Sequence, residues 1–225
     1  MAENRDRRPS RPAFWRFACA LRFGRTTLMA LGKIRNVCVY CGSAAGDDPA
    51  YARAAREMGI EIARRGMGLV YGGGSVGLMG IVADSALEAG GRVVGVIPRQ
   101  FVREVVHTGL TELVRVDSMG ERKRVMLEMG DAFIALPGGY GTFDEITEAI
   151  VLLQLGAMSS PCGFLDTLGF YRKFFDFLDH AERGGFISKI HRDMALVAGE
   201  PAGLLDMLEA YERPDEPLWW DEGLA

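Results

Sequence analysis

The stretch 133–146, FIALPGGYGTFDEI, decides the fold, because an apolar run breaks into glycines and is followed at once by a helical pattern. Residues 133–136 predict a buried strand, and Pro137 ends it. The turn and the start of the predicted helix hold three glycines, a threonine and two acids: Gly138, Gly139, Gly141, Thr142, Asp144 and Glu145. A strand joined to a helix by such a turn is typical of a parallel sheet that binds ligands at the carboxyl ends of its strands.

The same alternation runs along most of the chain. Apolar runs predict strands at 36–43, 67–74, 92–98, 131–139 and 161–166. Helical patterns occupy 48–66, 78–91, 118–130, 142–156, 168–185 and a region near 201–212, and 99–117 reads as a loop with a short strand. Continuous apolar strands with intervening helices indicate a sheet covered on both faces. We therefore predict a doubly wound, Rossmann-like α/β fold with a single domain at 34–213.

Composition excludes several classes of protein. The 225 residues are 48% hydrophobic with a formal net charge of −4, enough for one domain with a full core. No apolar run approaches the roughly 20 residues that span a bilayer, so we predict no membrane partner. Cys38 and Cys41 form a lone CxxC inside a predicted strand, where their side chains point to opposite faces. They are interpreted as buried thiols rather than zinc ligands, and the predicted compartment is the reducing cytoplasm.

The two ends of the chain fall outside the predicted domain. Residues 1–35 hold nine arginine or lysine residues against two acids, without the apolar region and cleavage site of a secretory signal. A transit-like or membrane-surface segment stays open as an alternative, but we interpret residues 1–33 as a poorly ordered extension, with Met29 as a possible true start. Residues 214–225 are interpreted as a partly ordered tail.

The first glycine loop has the spacing of a dinucleotide-binding turn. Gly72, Gly74 and Gly77 satisfy GxGxxG between a strand and a helix. In dinucleotide sites an acid on the next strand holds the ribose, but here that strand runs into Pro98 and Arg99. A dinucleotide is therefore disfavoured. The cluster of glycines still indicates a backbone that something outside it approaches closely.

The second glycine loop predicts an anion site. Without Cβ atoms, Gly138, Gly139 and Gly141 can present their amides, and the helix that begins near Thr142 adds unpaired donors and the positive end of its dipole. Phosphate is the usual occupant of such a site. No GK[ST] follows either loop, so ATP hydrolysis is not predicted. On composition alone, Asp144 and Glu145 would be read as first-turn acids that stabilise the dipole.

Two longer motifs carry a resemblance to a known family. PGGYGTFDE (137–145) fits PGGxGTxxE, and SMGERK (118–123) is similar to an M-H-x-R-K-like run. Five further stretches follow the pattern of the same family in the same order: VCVYCGSAAG, LVYGGGSVGLMG, VVGVIP, QLG and FLDHAERGGFIS. The chain resembles the Lonely Guy (LOG) family of cytokinin riboside 5′-monophosphate phosphoribohydrolases over about residues 36–212.

The resemblance implies hydrolysis of the N-glycosidic bond of an adenosine 5′-monophosphate, typically N6-modified, to a free base and ribose 5-phosphate. It implies no metal or organic cofactor, and assembly into a dimer or a higher homo-oligomer. Arg122 and Glu145 would be the catalytic pair. The implied nucleotide-binding residues are Ser43, Gly73, Gly74, Glu104, Lys123, Gly138, Gly139, Tyr140, Gly141 and Thr142. Members are often labelled lysine decarboxylases, but no lysine-centred cofactor site is recognisable in the sequence.

The chemistry suits the implied catalytic pair. Cleavage of a ribosyl–base bond passes through a cation-like sugar, which a carboxylate such as Glu145 can stabilise while it activates water. Arg122 keeps its charge, so it suits holding phosphate or orienting Glu145 better than donating a proton. The alternative for the run 121–124, ERKR, is a solvated basic helix face. The resemblance favours the functional interpretation for Arg122 and, less strongly, for Lys123.

Three positions depart from the family pattern. Gly120 stands where the family commonly has histidine, and Val151 and Leu152 replace a Thr-Trp pair. On the expectation that this pair lies near the ligand, the preference for the N6 substituent is open, and AMP itself or another 5′-mononucleotide becomes a candidate substrate.

Two further functions stay open from the sequence. A non-catalytic nucleotide or cofactor carrier could use the same fold, although it has no need of an acid beside the sugar. A nucleic-acid-binding role for the basic first 33 residues is opposed by the acidic body of the chain. His107, His180 and His191 show no metal-ligand spacing, so no metal site is predicted.

Overall fold

The computed structural model describes residues 34–101 and 105–214, and within these a seven-stranded sheet is the central element. Its strands pair only in parallel, as predicted. They are β1 (Asn36–Tyr40), β2 (Gly68–Tyr71), β3 (Val93–Pro98), β4 (Glu112–Val116), β5 (Ala132–Ala135), β6 (Cys162–Leu165) and β7 (Ala195–Ala198). The α-helices are α1 (Pro49–Arg64), α2 (Gly77–Glu88), α3 (Met119–Met129), α4 (Tyr140–Gln154), α5 (Arg172–Arg183), α6 (Lys189–Asp193) and α7 (Pro201–Glu209).

The strand order places one topological switch point in the sheet. The order is β4-β3-β2-β1-β5-β6-β7, so the chain builds outward from β1 and then returns to its other side at β5. Val39 of β1 aligns with Tyr71 of β2 and with Ile134 of β5. In a doubly wound sheet the crevice for ligands opens at the carboxyl ends of the two strands where the order reverses. Here that edge lies after Tyr40 and Ala135.

The helices cover both faces of the sheet, and β1 shows how the sequence divides between them. Val37 and Val39 pack into the core on the face of α1, α2 and α7. Cys38 and Tyr40 pack into the core on the opposite face, with α3, α4 and α5. This is the period-two alternation of a strand buried on both sides. It also confirms the prediction for the CxxC, because Cys38 and Cys41 are buried in different cores.

Local capping fixes where the helix that carries Arg122 begins. Ser118 accepts a hydrogen bond from the Glu121 amide at 3.1 Å, and the Glu121 carboxylate accepts one from the Asp117 amide at 2.8 Å. This reciprocal arrangement satisfies donors that the first turn of α3 would otherwise leave unpaired. It sets the start of α3 one turn before the arginine.

Several boundaries differ from the sequence-based predictions. β7 and α6 were not predicted, and the helix expected at 168–185 begins only at Arg172, after a short 3-10 turn at Thr167–Gly169. α4 begins at Tyr140, two residues before the expected start. The interpretations of residues 1–33, of Glu104 and of the tail from residue 215 onward lie outside the described residues. Within 34–101 and 105–214, no helix is long and apolar enough to cross a bilayer.

Candidate active site

A cavity of about 500 Å³ opens at the carboxyl edge of the sheet, at the switch point between β1 and β5. Its walls come from the ends of β1, β2, β3 and β5 and from the starts of α3 and α4. Most of the surface that lines it is apolar. The polar side chains among its lining residues are Tyr40, Cys41, Ser43, Arg122, Tyr140, Thr142, Asp144 and Glu145.

An ion pair between two different helices forms the base of the cavity. Arg122 Nη1 on α3 donates to Glu145 Oε1 on α4 at 2.8 Å, and both side chains are almost fully buried, with 12% and 9% exposed. Arg122 Nε also donates to the carbonyl of Val96 in β3 at 3.1 Å. Two hydrogen bonds from one planar guanidinium fix its orientation as well as its position. The two residues expected to be catalytic therefore lie together.

The missing side chain of Gly72 makes room for this guanidinium. A Cβ at Gly72 would overlap Nη2 of Arg122, and Met79 Sδ would lie 3.3 Å from it. The first turn residue after β2 is therefore glycine because of the arginine. Sequence spacing alone assigned this glycine to a dinucleotide fingerprint, and the structure gives it a different role.

Burial sets the protonation chemistry of Glu145. Its removal from water raises its pKa above the ordinary value, Asp144 adds a smaller effect in the same direction, and Arg122 partly offsets both. A carboxyl whose charged form is poorly solvated exchanges a proton more readily near neutral pH than an exposed one does. Cys41 also borders the cavity, but burial raises the pKa of its thiol far above neutral, so it offers no thiolate nucleophile.

The amino end of α4 supplies backbone donors to the same cavity. Gly139 is the N-cap, and it has no side chain that could accept a hydrogen bond from the helix amides. The first backbone hydrogen bond of the helix runs from the Phe143 amide to the Gly139 carbonyl, at 3.1 Å. A Cβ at Gly139 or Gly141 would meet nothing within 4 Å, so both face open space. Amides of this kind at a helix start attract an anion.

Gly138 has a packing role instead. A Cβ there would overlap the Thr142 hydroxyl and approach the Gly42 amide at 2.9 Å. Gly138 does not line the cavity, and its lack of a side chain lets the buried Thr142 fold back beneath the turn. Among the expected binding residues of this loop, the structure thus brings Gly139, Tyr140, Gly141 and Thr142 to the cavity. Tyr140 is 97% exposed at its rim.

Lys123 points away from the cavity, although it follows Arg122 in sequence. Its ammonium lies 2.9 Å from Asp144 Oδ2 and 3.1 Å from Glu148 Oε2. These contacts raise its pKa and tie α3 to α4 on the outer side of the Arg122–Glu145 pair. Neighbouring helical residues differ in direction by about 100°, which accounts for the separation.

The residues of the first glycine loop also differ in whether they line the cavity. Gly74 and Ser43 line the cavity, whereas Gly73 lies behind it. Gly73 has φ +75°, in the left-handed region that favours glycine, and its carbonyl accepts a hydrogen bond from the His107 amide at 3.0 Å. Its contribution to the site is therefore indirect.

Val151 and Leu152 do not line the cavity of this chain. Both lie in the last two turns of α4, whereas the cavity-lining residues of α4 are all in its first two turns. Their departure from the family pattern therefore does not alter the described wall of the site. Gly120 also lies outside the wall, and a Cβ there would meet nothing within 4 Å.

Sequence reasoning missed the apolar part of the cavity wall. It consists of seven residues from four separate segments: Val76, Met79, Ile97, Pro98, Phe101, Val105 and Met119. Single apolar residues after strands carry no signal of their own, and only the fold brings them together. Among the residues that the structure describes, no three His, Cys, Asp or Glu side chains lie close enough together to hold a metal ion.

Residues 79–208 match the protein family described as "Possible lysine decarboxylase". The chain is 45% identical over 192 residues to the cytokinin riboside 5′-monophosphate phosphoribohydrolase LOG of Oryza sativa subsp. japonica, covering 84% of this chain and 79% of that protein. It is also 43% identical over 195 residues to the cytokinin riboside 5′-monophosphate phosphoribohydrolase LOG7 of Arabidopsis thaliana, covering 84% of this chain and 90% of that protein.

Among solved structures, the molybdenum cofactor binding protein of Rippkaea orientalis is similar, with a TM-score of 0.61 and 20% identity over 80% of this chain and 98% of that one. The molybdenum cofactor carrier protein of Chlamydomonas reinhardtii gives a TM-score of 0.60 at 21% identity, over 78% of this chain and 96% of that one. At this identity the likeness confirms the Rossmann-type fold and extends no further.

Proposed function

The chain belongs to the LOG family of phosphoribohydrolases, and we propose that it hydrolyses the N-glycosidic bond of an adenosine 5′-monophosphate, N6-modified or plain. The products are the free base and ribose 5-phosphate. The observation that carries the proposal is the buried Arg122–Glu145 pair beside the open amino end of α4, within one cavity. The family relationship supplies the reaction, and this geometry supports the assignment of its parts to residues.

The phosphate is assigned to the amino end of α4. Open space above Gly139 and Gly141 lets an anion approach their backbone directly, and the helix dipole favours negative charge there. Thr142 adds a hydroxyl at the cavity wall. The guanidinium of Arg122 lies within the same cavity, so it adds a long-range attraction.

The sugar then lies above Glu145. As the bond from C1′ to the base nitrogen breaks, positive charge develops on the ribose, and the Glu145 carboxylate stabilises it. A water molecule attacks C1′, forms the new C1′–O bond and gives its proton to Glu145. The electron pair of the broken bond stays on the base, which takes up a proton and leaves. Arg122 holds the carboxylate in place through its bond at 2.8 Å.

The base is assigned to the apolar wall, because this is the part of the cavity without charged side chains. Met79, Val105 and Met119 offer flat or flexible apolar surface to a purine. No side chain of this wall demands an N6 substituent, which is why plain AMP stays in the proposal.

Two other functions fit the residues less well. Amino-acid decarboxylation with a pyridoxal cofactor needs a lysine for the Schiff base. Over 34–101 and 105–214, no lysine lines the cavity, and the Lys123 ammonium is held by the carboxylates of Asp144 and Glu148. A cofactor carrier shares the fold, but it needs no buried acid whose pKa is raised beside the ligand.

The experiment compares four substrates at equal concentration: AMP, N6-isopentenyl-AMP, adenosine and lysine. Chromatography for free base and an assay for ribose 5-phosphate should show equal amounts of both products from at least one of the nucleotides. Adenosine lacks the phosphate that α4 would hold, so its turnover should be lower by orders of magnitude. Release of CO₂ from lysine, or base released equally from adenosine, would contradict the proposal.

Self-association is a further part of the proposal. Val76, Met119 and Tyr140 are exposed apolar or aromatic side chains around the cavity mouth. A second copy of the chain that covered this rim would bury them. Sedimentation analysis should give at least twice the mass of one chain, and a monomer at micromolar concentration would contradict this part.

A further inference from the structure

One short segment pairs with the first glycine loop and completes the apolar wall. This segment, residues 105–109, is called the strap here. The Ser75 amide donates to the Val105 carbonyl at 3.0 Å, the His107 amide donates to the Gly73 carbonyl at 3.0 Å, and Val106 bridges Gly74 in antiparallel sense. Val105 and Gly74 both line the cavity. The position of the strap therefore sets part of the wall assigned to the base.

His107 fixes the strap with its side chain. Nδ1 accepts a hydrogen bond from the Gly109 amide at 3.1 Å, so in the neutral ring the proton is on Nε2. Nε2 lies 2.9 Å from Oδ1 of Asp84 on α2 and donates to it. The imidazole is buried, whereas Asp84 is more than half exposed. Both ring nitrogens are thus satisfied, one within the strap and one across to α2.

The strap has few other attachments. Two backbone hydrogen bonds, which together form the bridge between Gly74 and Val106, join it to the loop, and a ladder of this length is marginal in water. The contact with Asp84 adds a second, separate element, because the amino end of α2 follows Val76 and carries Met79, two more residues of the wall. The His107–Asp84 bond therefore joins the strap and α2, which contribute to the same face of the cavity.

We propose that His107, acting through Asp84, is a positioning residue that holds the base end of the cavity without touching the reacting atoms. The inference rests on the proposed function, since it assigns the base to this wall. Neither residue lines the cavity, and neither touches Arg122, Glu145 or the amino end of α4. Their loss should weaken nucleotide binding, leaving the bond-breaking step and the phosphate end as they are. The alternative is a buried histidine that only stabilises the fold.

The test uses the full chain and four variants: His107→Ala, Asp84→Ala, the double variant and His107→Gln. Ser85→Ala is the matched control, because Ser85 adjoins Asp84, is fully buried and bonds only within α2, to the carbonyls of Ile81 and Val82. The readouts are KM and kcat for AMP, the inhibition constant of ribose 5-phosphate, and the melting temperature. Ribose 5-phosphate has no base, so it reports on the α4 end alone.

The first two single variants should raise KM for AMP about tenfold, the fold-change that a free-energy loss of about 1.4 kcal/mol produces. The double variant should raise KM little further, because both substitutions remove the same hydrogen bond. The inhibition constant of ribose 5-phosphate and kcat should stay within about twofold of the wild-type values. His107→Gln can still donate a hydrogen bond to Asp84, so its KM should lie close to that of the wild type. Ser85→Ala should leave KM unchanged whatever its melting temperature.

A lower melting temperature of His107→Ala with an unchanged KM would overturn the inference, as would an equal weakening of AMP and ribose 5-phosphate. If His107→Ala does not fold, the Asp84→Ala variant decides by the same criteria, because its side chain is largely exposed. Failure of the wild-type protein to release base would count against the proposed function alone. Equilibrium binding of AMP to the same variants would then decide the role of His107.

Discussion

Two arginines with nearly equal burial occupy opposite kinds of site in this molecule. Arg65, whose side chain is 13% exposed, ends α1 and contacts three carboxylates, those of Glu61, Asp206 and Glu209, at 2.7–2.8 Å. Arg122, 12% exposed, contacts one carboxylate in the cavity. The first guanidinium is saturated with acceptors and joins α1 to α7. The second has its Nη2 turned toward Gly72 and is only partly used.

The partner glutamates respond in opposite directions. Glu61 accepts two hydrogen bonds from Arg64 and one from Arg65, and these lower its pKa to about 2 despite some cost of burial. Glu145 accepts one from Arg122, and its removal from water raises its pKa. The number of charged donors and the cost of desolvation decide the sign, since the arginines are equally covered. The Glu61 carboxylate is therefore held in its ionised form, whereas the pKa of the Glu145 carboxyl is raised.

The largest effect expected from breaking this contrast is on catalysis. Glu145→Gln should lower kcat for nucleotide hydrolysis about 10³-fold, within the range for loss of a general acid–base group that also stabilises charge. Because folding raises the pKa of Glu145, its ionised form costs stability at neutral pH, and the amide removes that cost while leaving Arg122 without its ion pair. The melting temperature should change by only a few degrees. Equal turnover by variant and wild type would remove Glu145 from the mechanism.

A second variant moves the arginine and leaves the acid in place. In Gly72→Ala the new Cβ would overlap Arg122 Nη2, so the guanidinium must shift away from Glu145. We expect kcat to fall about 10²-fold, since small misplacements of a catalytic group cost about that much. Gly203→Ala in α7 is the control, because its Cβ would meet nothing within 4 Å. It should keep full activity and gain up to about 1 kcal/mol in stability. Wild-type kinetics in Gly72→Ala would mean that the placement of Arg122 is unimportant.

For Arg65, the comparison predicts that substitution lowers stability without lowering activity. Arg65→Ala leaves three carboxylates without their common partner, and chemical denaturation should show a free energy of unfolding lower by about 2 kcal/mol. The values of kcat and KM should match those of the wild type. A change in KM would show that the α1–α7 contact and the cavity are coupled.

The smallest expected effect is in the pH dependence of stability. The folded pKa of Glu61, about 2, lies below its ordinary value of 4.5, so its contribution is complete above pH 4.5 and is lost as the pH falls toward 2. Allowing for its surface location, we expect a contribution of about 1–2 kcal/mol. Glu61→Gln should therefore be less stable than the wild type at pH 6, with the difference shrinking in acid. A difference independent of pH would contradict the ionic origin of this contribution.

The sequence predicted the layers of the fold, and it singled out Arg122 and Glu145, which the structure brings together. It did so because continuous apolar strands and glycine-rich turns are local signals, and because the motifs that contain Arg122 and Glu145 are specific. It missed β7, ALVA at 195–198, which is an edge strand that pairs only with Cys162–Leu165 and is partly exposed.

Contacts between residues that are distant in sequence also could not be predicted. Lys123 was expected at the nucleotide, but its attachment to Asp144 and Glu148 depends on how α3 crosses α4. The bond between His107 and Asp84 joins residues 23 positions apart, and nothing in either local pattern indicates it. Gly73 and Gly138 were expected to bind ligand because both are in glycine loops. The structure places both behind the cavity wall, where the chain needs space or a left-handed turn.

The most direct test is a crystal structure of the Glu145→Gln variant with AMP, whose glycosidic bond should survive. We predict the phosphate within hydrogen-bonding distance of the backbone amides at Gly141 and Thr142, C1′ next to the side chain at position 145, and the adenine against Val105 and Met79. A phosphate bound away from the amino end of α4, with C1′ far from position 145, would contradict the account.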